Sequence, residues 1–99
     1  MPRFIIKLDT PDGPFYCEWS TASDAPATYL LTREELKTYI QEEYGRQGSL
    51  DFEERMSLVE RQGHSIQRDG VSVESLVAHN RAGPDEECLS IEEIIELYK

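Results

Sequence analysis

The sequence is poor in the features that announce most functions. It has only two cysteines, Cys17 and Cys88, far from each other and from both histidines, His64 and His79. That excludes a disulfide scaffold. It also speaks against zinc, whose ligands usually come in pairs a few residues apart so that one turn fixes two of them. Two free thiols, no metal and no cofactor are therefore expected. Long apolar runs are missing as well, and none approaches the roughly 18 to 20 residues of a membrane span. The opening MPRFIIKLD lacks the apolar stretch of a secretory signal. A reducing, cytoplasmic setting away from membranes follows as the expectation.

Catalytic signatures are equally scarce. Glycines 45, 48, 63, 70 and 83 never combine into a dinucleotide fingerprint or a P-loop. GHSIQ and GVSVE lack the closing glycine that a nucleophile elbow needs for its sharp turn. Neither DTPDG nor NRAGPDEE sets oxygen ligands at alternate positions, as a calcium loop would. The chain is expected not to be an enzyme. Basic residues are few: ten Lys and Arg stand against twenty Asp and Glu, a net charge of −10. Such a surface repels DNA, RNA and anionic membranes, so no direct nucleic-acid binding is expected.

What is present reads as one folded domain of 99 residues with nine aromatic side chains to anchor a core. RFIIKLD (3–9) and FYCEWS (15–20) are rich in aromatic and β-branched residues and flank TPDGP, a turn signal. They predict a β-hairpin, with Phe4, Ile6 and Leu8 on one face and Phe15, Cys17 and Trp19 on one face of the partner. STASDAPATYLL begins as a loop and leaves room for a third, short extended stretch near 27–31. Thr32 and Glu35 form a capping box for a helix over 33–44 that buries Leu36, Tyr39, Ile40 and Tyr44 and stops at Gly45. Ser49 is expected to cap a second helix, about 50–62, burying Phe52, Met56 and Val59. Residues 64–70 fit an edge strand or a loop equally. Ser72 predicts a short helix over 73–79, ended by Asn80 in a left-handed conformation. The fold class is α+β: an N-terminal β-hairpin, with room for a third short strand, packed against three or four short helices.

The last twenty residues, NRAGPDEECLSIEEIIELYK, contain six acids against Arg81 and Lys99. Residues 80–89 read as an exposed acidic connector broken by Gly83-Pro84. Residues 91–98 read as a core helix, capped by Ser90 and Glu93, with Ile91, Ile94, Ile95 and Tyr98 on one stripe. Arg81 with Asp85, Glu86 and Glu87 admits two readings, a local brace of the turn or a recognition surface. Trp19 with Asp24 also admits two, a core anchor beside a turn or an aromatic that contacts a partner. Trp19, Asp24, Arg81, Asp85, Glu86 and Glu87 are thus the candidate binding residues.

Six segments, EWS (18–20), DAP (24–26), TREE (32–35), EEYG (42–45), NRAGPDE (80–86) and the closing EEIIELY, resemble a family of small acidic proteins encoded by actinobacterial bacteriophages. The resemblance spans most of the chain. The family has no assigned activity, so it supplies a setting rather than residue roles: a phage product in the cytoplasm of a bacterial host. It implies a small interaction module that binds and modulates a host protein; a homodimer is compatible with it. The alternative is a nucleic-acid mimic that blocks a DNA-binding host enzyme of the restriction or CRISPR type. A mimic needs carboxylates without basic neighbours, and only residues 85–96 provide them.

Overall fold

The computed structural model describes residues 3–66 and 70–99; the remainder of the 64–70 segment, at 67–69, lies outside the described residues. Strands β1 (Arg3–Thr10) and β2 (Gly13–Ser20) pair antiparallel in the register Phe4↔Trp19, Ile6↔Cys17 and Leu8↔Phe15. The two-residue connection works because Gly13 takes φ +112°, a left-handed value with no cost to glycine. Thr10 pins the turn, its hydroxyl donating to the Gly13 carbonyl (2.8 Å) and accepting from the Asp12 N–H (3.1 Å).

The third strand is short. β3 (Ala25–Pro26) pairs with Trp19 and Ser20, and completes a three-stranded antiparallel sheet in the order β1-β2-β3. The chain beyond it stays beside β2, since the N–H of Ala27 donates to the Glu18 carbonyl and Tyr16 exchanges two backbone bonds with Leu31. On the opposite edge, residues 63–65 bridge β1: Lys7 N–H donates to the Gly63 carbonyl, Ser65 N–H to the Ile5 carbonyl, and His64 lies opposite Ile6. His64 is buried, its Nε2–H donating to the Val71 carbonyl (2.7 Å) while Nδ1 accepts from the Ile66 N–H (3.2 Å).

Four helices cover this sheet: α1 (Arg33–Leu50), α2 (Phe52–Gln62), α3 (Val73–Val77) and α4 (Ile91–Tyr98). Phe4, Ile6, Leu8, Cys17 and Trp19 pack with Leu30, Val77, Ala82 and Ile94, beneath α3, α4 and the segment between them. Ile5 and Tyr16 point the other way, into a second cluster with Leu36, Ile40, Phe52, Met56 and Val59 of α1 and α2. Both faces of the sheet are therefore buried. The molecule is α+β with an N-terminal hairpin.

Four local expectations are corrected. Gly45 does break the first helix (φ +64°, ψ −148°), but the chain resumes helical turns as far as Leu50. Ser49 therefore lies inside α1, its hydroxyl donating to the Gly45 carbonyl one turn back (3.3 Å), and Asp51 occupies the N-cap position of α2. Helix α3 ends at Val77 rather than 79, and Asn80 has no left-handed backbone; the described residues with positive φ other than glycine are Asp24, Asp85 and Glu86. Asn80 terminates the helix through its side chain instead, as described next.

Candidate functional site

The acidic C-terminal region is built on Asn80. Its buried amide donates to the carbonyls of Val77 (2.8 Å) and Leu89 (2.7 Å), while Oδ1 accepts from the N–H groups of Ala82 (3.2 Å) and Leu89 (2.9 Å). Two donors and two acceptor positions are all used. This ties the two ends of the 80–89 segment together, so the segment is no simple exposed connector: Asn80 and Ala82 are buried and Gly83 and Leu89 partly so, while Arg81 and the tip, Pro84 to Cys88, are exposed. The tip forms a turn of 3-10 helix (Pro84–Glu86) with Asp85 and Glu86 at φ +55° and +62°.

Arg81 joins that tip to the sheet. Its backbone N–H donates to the Asp24 carbonyl (2.7 Å), its Nη2 to the Ala22 carbonyl (3.3 Å), and its guanidinium faces Asp24 and Glu86 at 3.6 Å each. Three of the candidate binding residues, Asp24, Arg81 and Glu86, thus meet in one brace. Asp85 and Glu87 stay on the surface with no cationic partner among the described residues. Trp19 is not with them. At 1% exposure it is a core residue, paired across the sheet with Phe4 on the face that α4 covers, and its ring is not offered to a partner.

Beside the brace lies an apolar notch that periodicity did not single out. Pro84, Leu89 and Leu97 line it and Glu92, Glu93 and Glu96 rim it, around a volume of about 440 Å3. Leu97 is 51% exposed because it falls at the margin of the Ile91–Ile94–Ile95–Tyr98 stripe, just outside the reach of the core. The capping box holds this face still: Ser90 accepts from the Glu93 N–H (3.2 Å) and Glu93 accepts from the Ser90 N–H (2.9 Å). That bond to the Ser90 backbone holds the Glu93 carboxyl below the usual range.

A second polar centre went unnoticed in the sequence. Glu18, between Cys17 and Trp19 on β2, is 1% exposed and points at α1. Its Oε1 accepts from Arg3 Nη1 (3.1 Å), Tyr39 (2.9 Å) and Tyr44 (2.8 Å), and its Oε2 accepts from Tyr44 (2.9 Å). A buried carboxylate persists only when paired and hydrogen-bonded, and Glu18 is both. Burial first, and the bond to Glu18 second, raise the pKa of Tyr39 and Tyr44 above the ordinary 10.

Tyr16 is likewise pushed up, to about 12, by burial and by its hydrogen bond to Glu60 (2.5 Å); burial also raises Tyr98. Four tyrosines with folded pKa values above the unfolded 10 stabilise the fold fully below pH 10. That contribution is lost as pH rises from 10 through the folded values, near 12 for Tyr16 and higher still for Tyr39. Alkaline titration, followed by tyrosinate absorbance and near-ultraviolet circular dichroism, should show these ionisations arriving together with unfolding. Ionisation of all four near pH 10 in an intact fold would contradict the packing described.

Cys17 is buried, its thiol pushed up to about 12 by desolvation, and Cys88 is exposed; neither is in a disulfide. Among the described residues no group of three His, Cys, Asp or Glu is placed to hold a metal ion, and no helix is long and apolar enough to cross a membrane. The chain matches no protein-family model, no curated protein and no solved structure.

Proposed function

We propose that the protein is a non-enzymatic interaction module, a phage product that binds and modulates a protein of the bacterial host. The observation that carries this reading is the notch: half-exposed Leu97 beside Pro84 and Leu89, flanked by Glu92, Glu93 and Glu96 of α4. An apolar anchor flanked by carboxylates complements a partner segment with one or two large apolar side chains beside Lys or Arg residues. Rim charges steer the encounter, while the buried apolar contact sets residence. The resemblance to small acidic phage proteins supports the setting.

The mimic reading draws on Asp85, Glu87 and Glu92, which have no cationic partner among the described residues. The apolar notch in their midst speaks against it, because a reader of phosphates gains nothing from Leu97. Capture from a bacterial lysate at low and high salt, with the parent and Leu97→Ser, separates the two. The parent should hold its partner at high salt, and Leu97→Ser should weaken binding by roughly tenfold or more, the loss of one apolar anchor. Capture that collapses with salt and ignores Leu97→Ser would instead favour the decoy.

A further inference from the structure

Away from the C-terminal face, a cleft of about 580 Å3 opens between the start of β1, the broken end of α1, and α2. That is within the range of small-molecule sites, roughly 300 to 1,000 Å3. Arg3, Glu18, Tyr44, Gly48, Arg55 and Ser65 are among its walls. Two glycines shape it. Gly45 adopts a backbone (φ +64°, ψ −148°) that only glycine takes readily, and a Cβ on Gly48 would lie 2.6 Å from Tyr44 Cβ and 2.9 Å from Ile40 Cγ2. The helix is thus broken at Gly45, between Tyr44 and Gln47, which both line the cleft.

The hydrogen-bonding inventory of the walls indicates what would fit. Glu18 is already occupied: it takes one bond from Arg3, one from Tyr39 and one from the Tyr44 hydroxyl, shared between both carboxylate oxygens. Arg3 commits only Nη1 of its five-donor fork, and its side chain is 41% exposed. Arg55 is half-buried and has no carboxylate within ion-pair distance among the described residues, despite the surplus of acids in the chain. Ser65 Oγ accepts from the Ile5 N–H (2.9 Å), which leaves its own hydroxyl hydrogen to donate. Unused capacity is thus mostly donor and cationic, opposed by one exposed carboxylate, Asp51. Phe4 and Ile66 add an apolar wall.

We propose that this cleft binds a small molecule bearing a carboxylate or phosphate group, anchored by Arg55 with the open edge of Arg3, its apolar body against Phe4 and Ile66. Guanidinium forks match both oxyanions bidentately. Glu18 acts as the fixed counter-charge that holds Arg3 and Tyr44 in place rather than as a ligand. The site is separate from the notch and stands or falls independently of the partner reading.

NMR titration of amide-labelled protein with phenyl phosphate and with benzoate, and with benzyl alcohol as the uncharged control, tests it. Saturable shifts confined to the residues lining the cleft, Arg55 and Arg3 among them, are expected for at least one anion, and the tighter one assigns phosphate or carboxylate. Arg55→Gln should weaken binding about tenfold and Arg55→Lys, which keeps charge but loses the fork, by less. Arg61→Gln, the same charge change at an exposed site, should leave it unaltered. The proposal is overturned if neither anion saturates below about 10 mM, if benzyl alcohol binds as well, or if Arg61→Gln weakens binding as much as Arg55→Gln.

Discussion

A chain ended at Leu89 should lose its cooperative thermal transition altogether. The missing helix is the lid of the first core cluster: Ile94 is buried among Phe4, Ile6 and Trp19, with Ile91, Ile95 and Tyr98 packed around it. Tyr98 also fastens two loops, its hydroxyl donating to the Ala82 carbonyl (2.7 Å) and its own carbonyl accepting from the Leu30 N–H (2.8 Å). An eight-residue helix has little stability of its own in water, so the gain comes from packing. Each isoleucine fully buried contributes about 1.5 to 3 kcal/mol, and a domain of this size has about 5 to 15 kcal/mol in all. Ile94→Ala alone should cost about 2 to 5 kcal/mol and leave a weakened but folded protein.

The surface beside that helix should behave otherwise. Replacing Glu86 and Glu87 with lysine breaks only the exposed contact of Glu86 with Arg81, a type of pair worth about 0 to 1 kcal/mol, so the melt should barely move. Circular dichroism melts of the truncated, Ile94→Ala and charge-reversed chains check the contrast. If the truncated chain melts cooperatively near the parent, α4 is a detachable docking peptide, and the core assignment fails.

How much of this was legible in the sequence depends on how far apart the interacting groups lie. The capping boxes Thr32/Glu35 and Ser90/Glu93 were readable because each closes within one helical turn, and the structure contains both. The hairpin was readable because the turn and the alternation of Phe4, Ile6 and Leu8 agree. The second buried face was only hinted at. Unbroken apolar runs, Phe4-Ile5-Ile6 and Tyr16-Cys17, mark a strand covered on both sides, whereas strict alternation marks one covered on one side. Ser49 was misread because a serine before a helical stretch fits both a cap and a helix-interior hydroxyl bonded one turn back, and only the Gly45 break decides between them.

The local half of the brace, Arg81 with Glu86, was legible, but its Asp24 half and the Glu18 centre were not. Arg81 reaches Asp24 and Tyr44 reaches Glu18 across long stretches of sequence, and no local pattern encodes a partner 26 residues away. For Trp19 the two readings differ only in whether α4 lies over the hairpin. Its neighbours in sequence carry no information about that.

Glu18 gives the remaining large effect. Arg3→Met removes its cation and keeps a similar apolar stem, leaving a 1%-exposed carboxylate with phenol donors alone. Stripping one partner from a fully buried pair costs about 3 to 5 kcal/mol, and an exposed pair is worth about 0 to 1 kcal/mol. Arg3 is 41% exposed, so water partly replaces it, and a loss on the order of 2 kcal/mol is expected from these bounds. Adding Glu18→Gln should then recover stability, because the amide oxygen still accepts from Tyr39 or Tyr44 while the uncompensated charge is gone. Urea denaturation of the parent, both single variants and the double variant gives the coupling directly. Arg3→Met within about 0.5 kcal/mol of the parent, or a double variant less stable than Arg3→Met, would mean that the tyrosines alone solvate Glu18. Arg3 would then be a bystander at the mouth of the cleft, and of the two groups assigned to it Glu18 would hold only Tyr44.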